Sequence, residues 1–129
     1  MSEKLWKILE EKKERQYEYF VLTLNQCGKF LLNASDDEIE THIFENFTLW
    51  IWGSLENETL ELFMDEGWIN ESIQQKCVEM RKRYMDVVNG QPDTWSYQAV
   101  RESKLWREVM ELSDEIKSML YYIDRKFYV

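Results

Sequence analysis

The chain has 129 residues, 44% hydrophobic and 32% charged, with one proline and four glycines, a composition that excludes a disordered tail and suits one compact domain. Nineteen aromatic side chains (six Trp, seven Tyr, six Phe) supply a core, each contributing about 2 to 3 kcal/mol when buried. Twenty-five acids against 16 bases leave a net charge of −9, which repels nucleic-acid phosphates and anionic lipid and favours basic protein partners.

The opening MSEKLWKILEEKKERQ has no apolar core of the signal-peptide kind, and no run approaches the roughly 18 apolar residues of a membrane span. A cytoplasmic protein with no membrane role is expected. Cys27 and Cys77 are then expected as reduced core residues rather than a bridge. The Asn-x-Ser/Thr triplets that begin at Asn33, Asn46, Asn57 and Asn70 are expected to carry no sugar.

Taken in chain order, Trp6, Leu9, Tyr17, Phe20, Val21 and Leu24 form an apolar stripe. Glu3/Lys7 and Glu11/Arg15 add supporting i, i+4 pairs, and a first helix to about Cys27-Gly28 is predicted. Ser35-Asp36-Asp37-Glu38 matches a capping box, in which the serine hydroxyl takes the amide of Glu38 and the glutamate reaches back to the serine amide. The helix it opens is predicted to end at Gly53, with Ile39, Ile43, Phe47 and Trp50 inward and Trp52 opposite, beside Glu38, Glu45 and Thr48. Ser54 is predicted to cap a short helix ending at Gly67, burying Leu60, Phe63 and Met64 and turning Glu58, Glu61 and Asp65 outward, with Leu62 at the boundary. Trp68 follows in the connecting turn.

Asn70 is the expected cap of a helix over about residues 70 to 89, striped by Ile73, Cys77, Met80, Tyr84, Val87 and Val88 and stopped by Asn89-Gly90 and Pro92. Gly90 to about Glu102 is read as the longest loop. Leu105, Val109, Leu112, Ile116, Met119, Leu120, Ile123 and Phe127 mark the last helix. The expected fold is all-α: a single domain over residues 1–129, a bundle of about five helices with short loops.

No catalytic constellation accompanies this pattern. The glycines stand alone at positions 28, 53, 67 and 90, which excludes a phosphate-binding loop. His42 is the one histidine, so nucleophile-base pairs have a single ring to draw on. Glu38, His42 and Glu45 share a helix side, as do Glu58, Glu61 and Asp65, but no Glu-x-x-His repeat on paired helices supports a metal bundle. Arg81-Lys82-Arg83 is the densest basic run, and its side chains point in different directions on a helix, so direct nucleic-acid binding is not expected. No enzyme activity, cofactor or metal is predicted.

Charge placement is the informative feature. Between Phe30 and Gln75 there are eleven acids and no Lys or Arg, so the segment is formally −11 while the rest of the chain is +2. A concentrated anionic surface set with large aromatics has the anchor-and-rim character of a protein interface. The partner-binding residues expected are Glu38, Glu45, Trp52, Glu56, Glu58, Glu61, Leu62, Asp65, Glu66 and Trp68, with Trp52 as the exposed anchor.

In size, helical pattern and local acidity, carried by SDDEIE and FENFTLWIWGSLENETLELFMDEGWINES, the chain resembles bacterial immunity proteins of toxin-antitoxin systems that neutralise polymorphic or contact-dependent growth-inhibition toxins. The resemblance implies a nuclease inhibitor whose partner is a basic toxin domain, ribonuclease slightly favoured, with its active-site cleft or an exosite covered. The alternatives are a phage-type nucleic-acid mimic of the anti-CRISPR or anti-restriction kind and a metal-binding helical bundle. The sequence carries no indication of oligomeric state.

Overall fold

The computed structural model describes residues 3–120, and every regular element among them is helical. Helix α1 (Glu3–Asn25) is followed by a 3-10 turn (Lys29–Asn33) and α2 (Asp36–Ile39), which runs on through a π-helical section (Glu40–Phe47) into α3 (Thr48–Leu55). Then come α4 (Asn57–Asp65), α5 (Glu71–Asn89), α6 (Tyr97–Glu102) and α7 (Lys104–Leu120). With α2 through α3 counted as one rod there are six helices, five of at least seven residues, in agreement with the expected all-α bundle. Ile123 and Phe127, expected on the last stripe, lie outside the described residues.

Helices α5 and α7 form the most extensive pairing, α1 packs on α3 and on α7, and α4 contacts both α3 and α5. Tyr84 sits where they converge, its ring 5.5 Å from Phe47, 5.3 Å from Trp52 and 5.9 Å from Trp106 in edge contacts, the arrangement that aromatic quadrupoles favour. Trp106 is fully buried, and its Nε1 donates to the Thr94 carbonyl at 2.7 Å, which satisfies its polar end.

Several helix ends form as their residues dictate. Ser35 Oγ accepts from the Glu38 amide at 3.2 Å, while the Glu38 carboxylate takes the Ser35 hydroxyl at 3.1 Å rather than the serine amide. Asn70 Oδ1 accepts from the Ile73 amide at 2.9 Å. After α4, Gly67 adopts φ +74°. Its amide donates to Met64 O at 3.0 Å and that of Trp68 to Phe63 O at 2.9 Å, the paired bonds of a Schellman motif. The accompanying apolar contact is Trp68 on Phe63, with ring centroids 6.0 Å apart.

Other expectations are corrected. Gly53 does not end the second helix, which continues to Leu55. Ser54 caps nothing: it is buried, 2.9 Å from Thr23 Oγ1, and Glu56 takes the N-cap position of α4. The stretch read as the longest loop contains α6, capped by Ser96 Oγ accepting from the Ala99 amide at 3.0 Å. On α1, Tyr17, Phe20 and Leu24 are buried, but Trp6 and Leu9 are exposed. At about 1.5 Å per residue α1 is roughly 34 Å long, and residues 3–12 are all exposed.

The second rod departs from ideal winding for a reason visible in its sequence. Ile39, Ile43, Phe47, Ile51 and Leu55 are all fully buried, and they recur at strict four-residue intervals. In an α-helix of about 100° per residue each such step drifts about 40°, or about 160° by the fifth residue, which carries the row off the core. The π section uses i→i+5 bonds and so places more residues in each turn, which opposes the drift and keeps the row on one seam. Ile51 therefore occupies the core position expected of Trp50, which is half-buried against Tyr19, ring centroids 6.0 Å apart.

The C-terminal end of α1 is held by α7. Ser113 Oγ lies 2.9 Å from Leu24 O and 2.8 Å from Cys27 O, and Lys117 Nζ donates to Cys27 O at 3.0 Å, so the Cys27 carbonyl, which no further turn could satisfy, finds donors. Beside them Gly28 lets the chain approach Asp114, whose Oδ2 accepts from the Lys29 amide at 3.0 Å. A Cβ on Gly28 would stand 2.5 Å from Asp114 Oδ1.

Candidate functional site

The acids of the base-free tract fall into two classes. Two are ion-paired, among the described residues, to bases from outside the tract. Half-buried Glu66 meets Lys13 Nζ of α1 at 2.8 Å, and this bond holds the Lys13 ammonium above its ordinary pKa. Asp36 pairs with Arg101 of α6, whose Nε and Nη2 also donate to Ala34 O at 3.2 and 3.0 Å. Glu40 accepts from the Tyr97 hydroxyl at 3.2 Å, which raises the pKa of that phenol.

The other class faces solvent without a cation. Glu45, Glu58, Glu61 and Asp65 are exposed and form no ion pair among the described residues. Glu58, Glu61 and Asp65 share one outward face of α4, since residues three and four apart are neighbours on a helix. Glu56 is exposed at the head of α4, where its Oε1 accepts from Thr59 Oγ1 at 3.3 Å. Glu38, also exposed, stands about 25 Å from Glu56 along the rod, apart from the α4 group. Leu62 is half-buried, at the boundary expected for it.

The tryptophans have separate environments. Trp52 is 38% exposed with its ring edge on Tyr84, so it is neither fully open nor core. Trp68 is half-buried against Tyr17 and Phe63. The most open large apolar side chain among the described residues is instead Leu49, 72% exposed, followed by Trp6 at 55% and Tyr19 at 53%.

Leu49 and Tyr19 belong to a groove between α1 and α3 of about 390 Å³, lined by Gln16, Tyr19, Leu49, Trp50, Gly53, Ser54 and Thr59. Gly53 opens it, since a Cβ built there meets nothing within 4 Å. Thr59 joins it to the head of α4 by donating to Gly53 O at 3.0 Å. Sequence reasoning missed this groove. Leu49 follows Glu45 by one turn on the outer face of the rod, and that spacing was the available signal; Tyr19 comes from another helix and gave none.

His42 is engaged by its neighbours: Nδ1 lies 2.8 Å from Gln26 Oε1, which also accepts from Asn46 Nδ2 at 3.1 Å, and the ring stands edge-on to Phe30 at 5.3 Å. Neither it nor the acids of α4 belongs to a group of three metal-ligating side chains among the described residues. Cys27 and Cys77 are buried and unbridged. Desolvation pushes both thiols up, Cys77 to about 12, which leaves them protonated and unreactive at neutral pH. No helix among the described residues is long and apolar enough to cross a membrane. Chemically the surface offers unneutralised carboxylates and an apolar groove that reaches the head of α4, an arrangement suited to binding a cationic surface.

No family model, curated protein or solved structure matches the chain.

Proposed function

We propose that the protein is an immunity protein that binds a cognate basic toxin domain, a nuclease with ribonuclease slightly favoured, and neutralises it by covering its active-site cleft or an exosite. The protein acts by binding, in the cytoplasm, and needs no cofactor. The observation that carries the reading is the outward face of Glu58, Glu61 and Asp65: three exposed carboxylates, without an ion-pair partner among the described residues, in a tract that has no Lys or Arg from Phe30 to Gln75. A cationic cleft that binds phosphates presents the complementary charge. Glu45, Glu56 and Trp52 extend the contact, Leu62, Glu66 and Trp68 frame it, and Glu38 is a separate contact farther along the rod.

The test is capture from the native host with the wild-type chain and with a Glu58→Lys/Glu61→Lys/Asp65→Lys variant as bait. The expected result is a basic nuclease domain held and inhibited by the wild type and neither held nor inhibited by the variant, whose helical circular dichroism is unchanged. Single changes have modest effects, because rim ion pairs contribute about 0 to 1 kcal/mol each, whereas the triple reversal adds repulsion. Inhibition by the variant at wild-type potency would overturn the assignment of this face.

A further inference from the structure

The unneutralised carboxylates give charge attraction without a fixed docking position, and the groove that Thr59 joins to the head of α4 supplies what they lack. We infer that the α1/α3 groove takes an apolar side chain presented by a basic partner, with Lys or Arg residues on either side of it. The inference rests on the binding reading above and names where the partner's central contact falls.

Two independent features point to this occupant. The first is shape and polarity: Leu49 is 72% exposed and Tyr19 53% exposed on either side of an opening of about 390 Å³, with Gly53 leaving it unobstructed. An aliphatic or aromatic side chain entering there removes apolar surface from water on both walls. The second is charge. Glu45 lies one turn before Leu49, Glu58 precedes the lining residue Thr59, and Thr59 Oγ1 donates to Glu56 Oε1 at 3.3 Å. The α1 wall is neutral by comparison, its Gln16 and Tyr19 having Arg15 and Glu18 as sequence neighbours. A second copy of this chain is disfavoured as occupant, because it would bring a like-charged rim against this one at a net charge of −9 per chain. Anionic lipid is disfavoured for the same reason. A cationic partner with an apolar anchor satisfies both features.

The experiment uses the full chain and two synthetic probes of equal charge: a 14-residue amphipathic peptide of leucine and lysine, and the same peptide with every leucine replaced by serine. Binding is followed by tryptophan fluorescence and calorimetry. The leucine peptide is expected to bind about tenfold or more tightly than the serine peptide. The decisive variant is Leu49→Asp, which adds an acid while deleting the apolar wall. Attraction by charge alone would leave binding unchanged or tighten it, whereas the groove requires a loss of about tenfold or more for the leucine peptide. At 72% exposure the substitution leaves the core untouched, and circular dichroism verifies the fold. The Glu58→Lys/Glu61→Lys/Asp65→Lys variant separates the two claims. Loss in that variant with none in Leu49→Asp overturns the groove and leaves the acidic face standing; loss in Leu49→Asp alone supports the groove and overturns the acidic face. Equal affinity for both peptides, or no binding of the leucine peptide, overturns the groove.

Discussion

Gly67 has a conformation that its neighbours would resist. At φ +74° an L side chain meets its own carbonyl, at a cost of about 1 to 2 kcal/mol, so Gly67→Ala is expected to lower the unfolding free energy by about that amount in urea titration while leaving the helical spectrum intact. Trp106 depends on a different constraint. Its indole N–H meets the Thr94 carbonyl in the buried interior, and Trp106→Phe leaves that oxygen without its donor, a loss of about 1 to 3 kcal/mol by the same measurement. The residue scale also shows which features local sequence conceals. The Lys13–Glu66 pair joins positions 53 apart, and the Thr23–Ser54 contact joins positions 31 apart, so neither the partial neutralisation of Glu66 nor the burial of Ser54 had any local sign.

Among the elements, the signals that proved legible were those contained in a few residues: Ser35 and Asn70 as caps, Gly67 as a left-handed terminator, and the stripes of α5 and α7. Faces assigned by a uniform 100° per residue failed where the winding changes. The π section turns less per residue than that count assumes, so beyond Phe47 the core position passed from Trp50 to Ile51. Ile51→Ala is accordingly expected to cost about 2 to 5 kcal/mol of folding free energy, and Trp50→Ala, at the half-buried position, distinctly less. Equal losses in chemical denaturation would restore Trp50 to the core. The exposed acids of α4 could be read from helical spacing alone. The groove could not, because its walls come from α1 and α3, which only tertiary packing brings together.

For the whole molecule, burial and charge set the response to solution conditions. Burial raises the pKa values of Cys27, Cys77 and Tyr84 in the folded state, Cys77 to about 12 from an ordinary 9.0. Because the folded chain holds these protons more tightly than the unfolded chain, their contribution is complete below the ordinary values and declines as pH rises through the folded ones. Thermal denaturation is expected to show falling stability between about pH 9 and pH 12, with a shallower fall in Cys77→Ala. On the proposed binding function, net charge governs the encounter with the partner. Steering acts over a Debye length of roughly 8 Å at physiological ionic strength, so added salt is expected to slow association and to change dissociation little, as read by surface-binding kinetics.

The hold of Ser113 and Lys117 on the end of α1 spans 86 and 90 residues of sequence to Cys27 O. During synthesis, α1 emerges long before the donors that complete it. At about 5 to 20 residues per second, the ribosome takes several seconds or more to add them. Until then the Cys27 carbonyl has only water, and the apolar face of α1 lacks one of its two main supports. The closing of the bundle is thus tied to the arrival of α7.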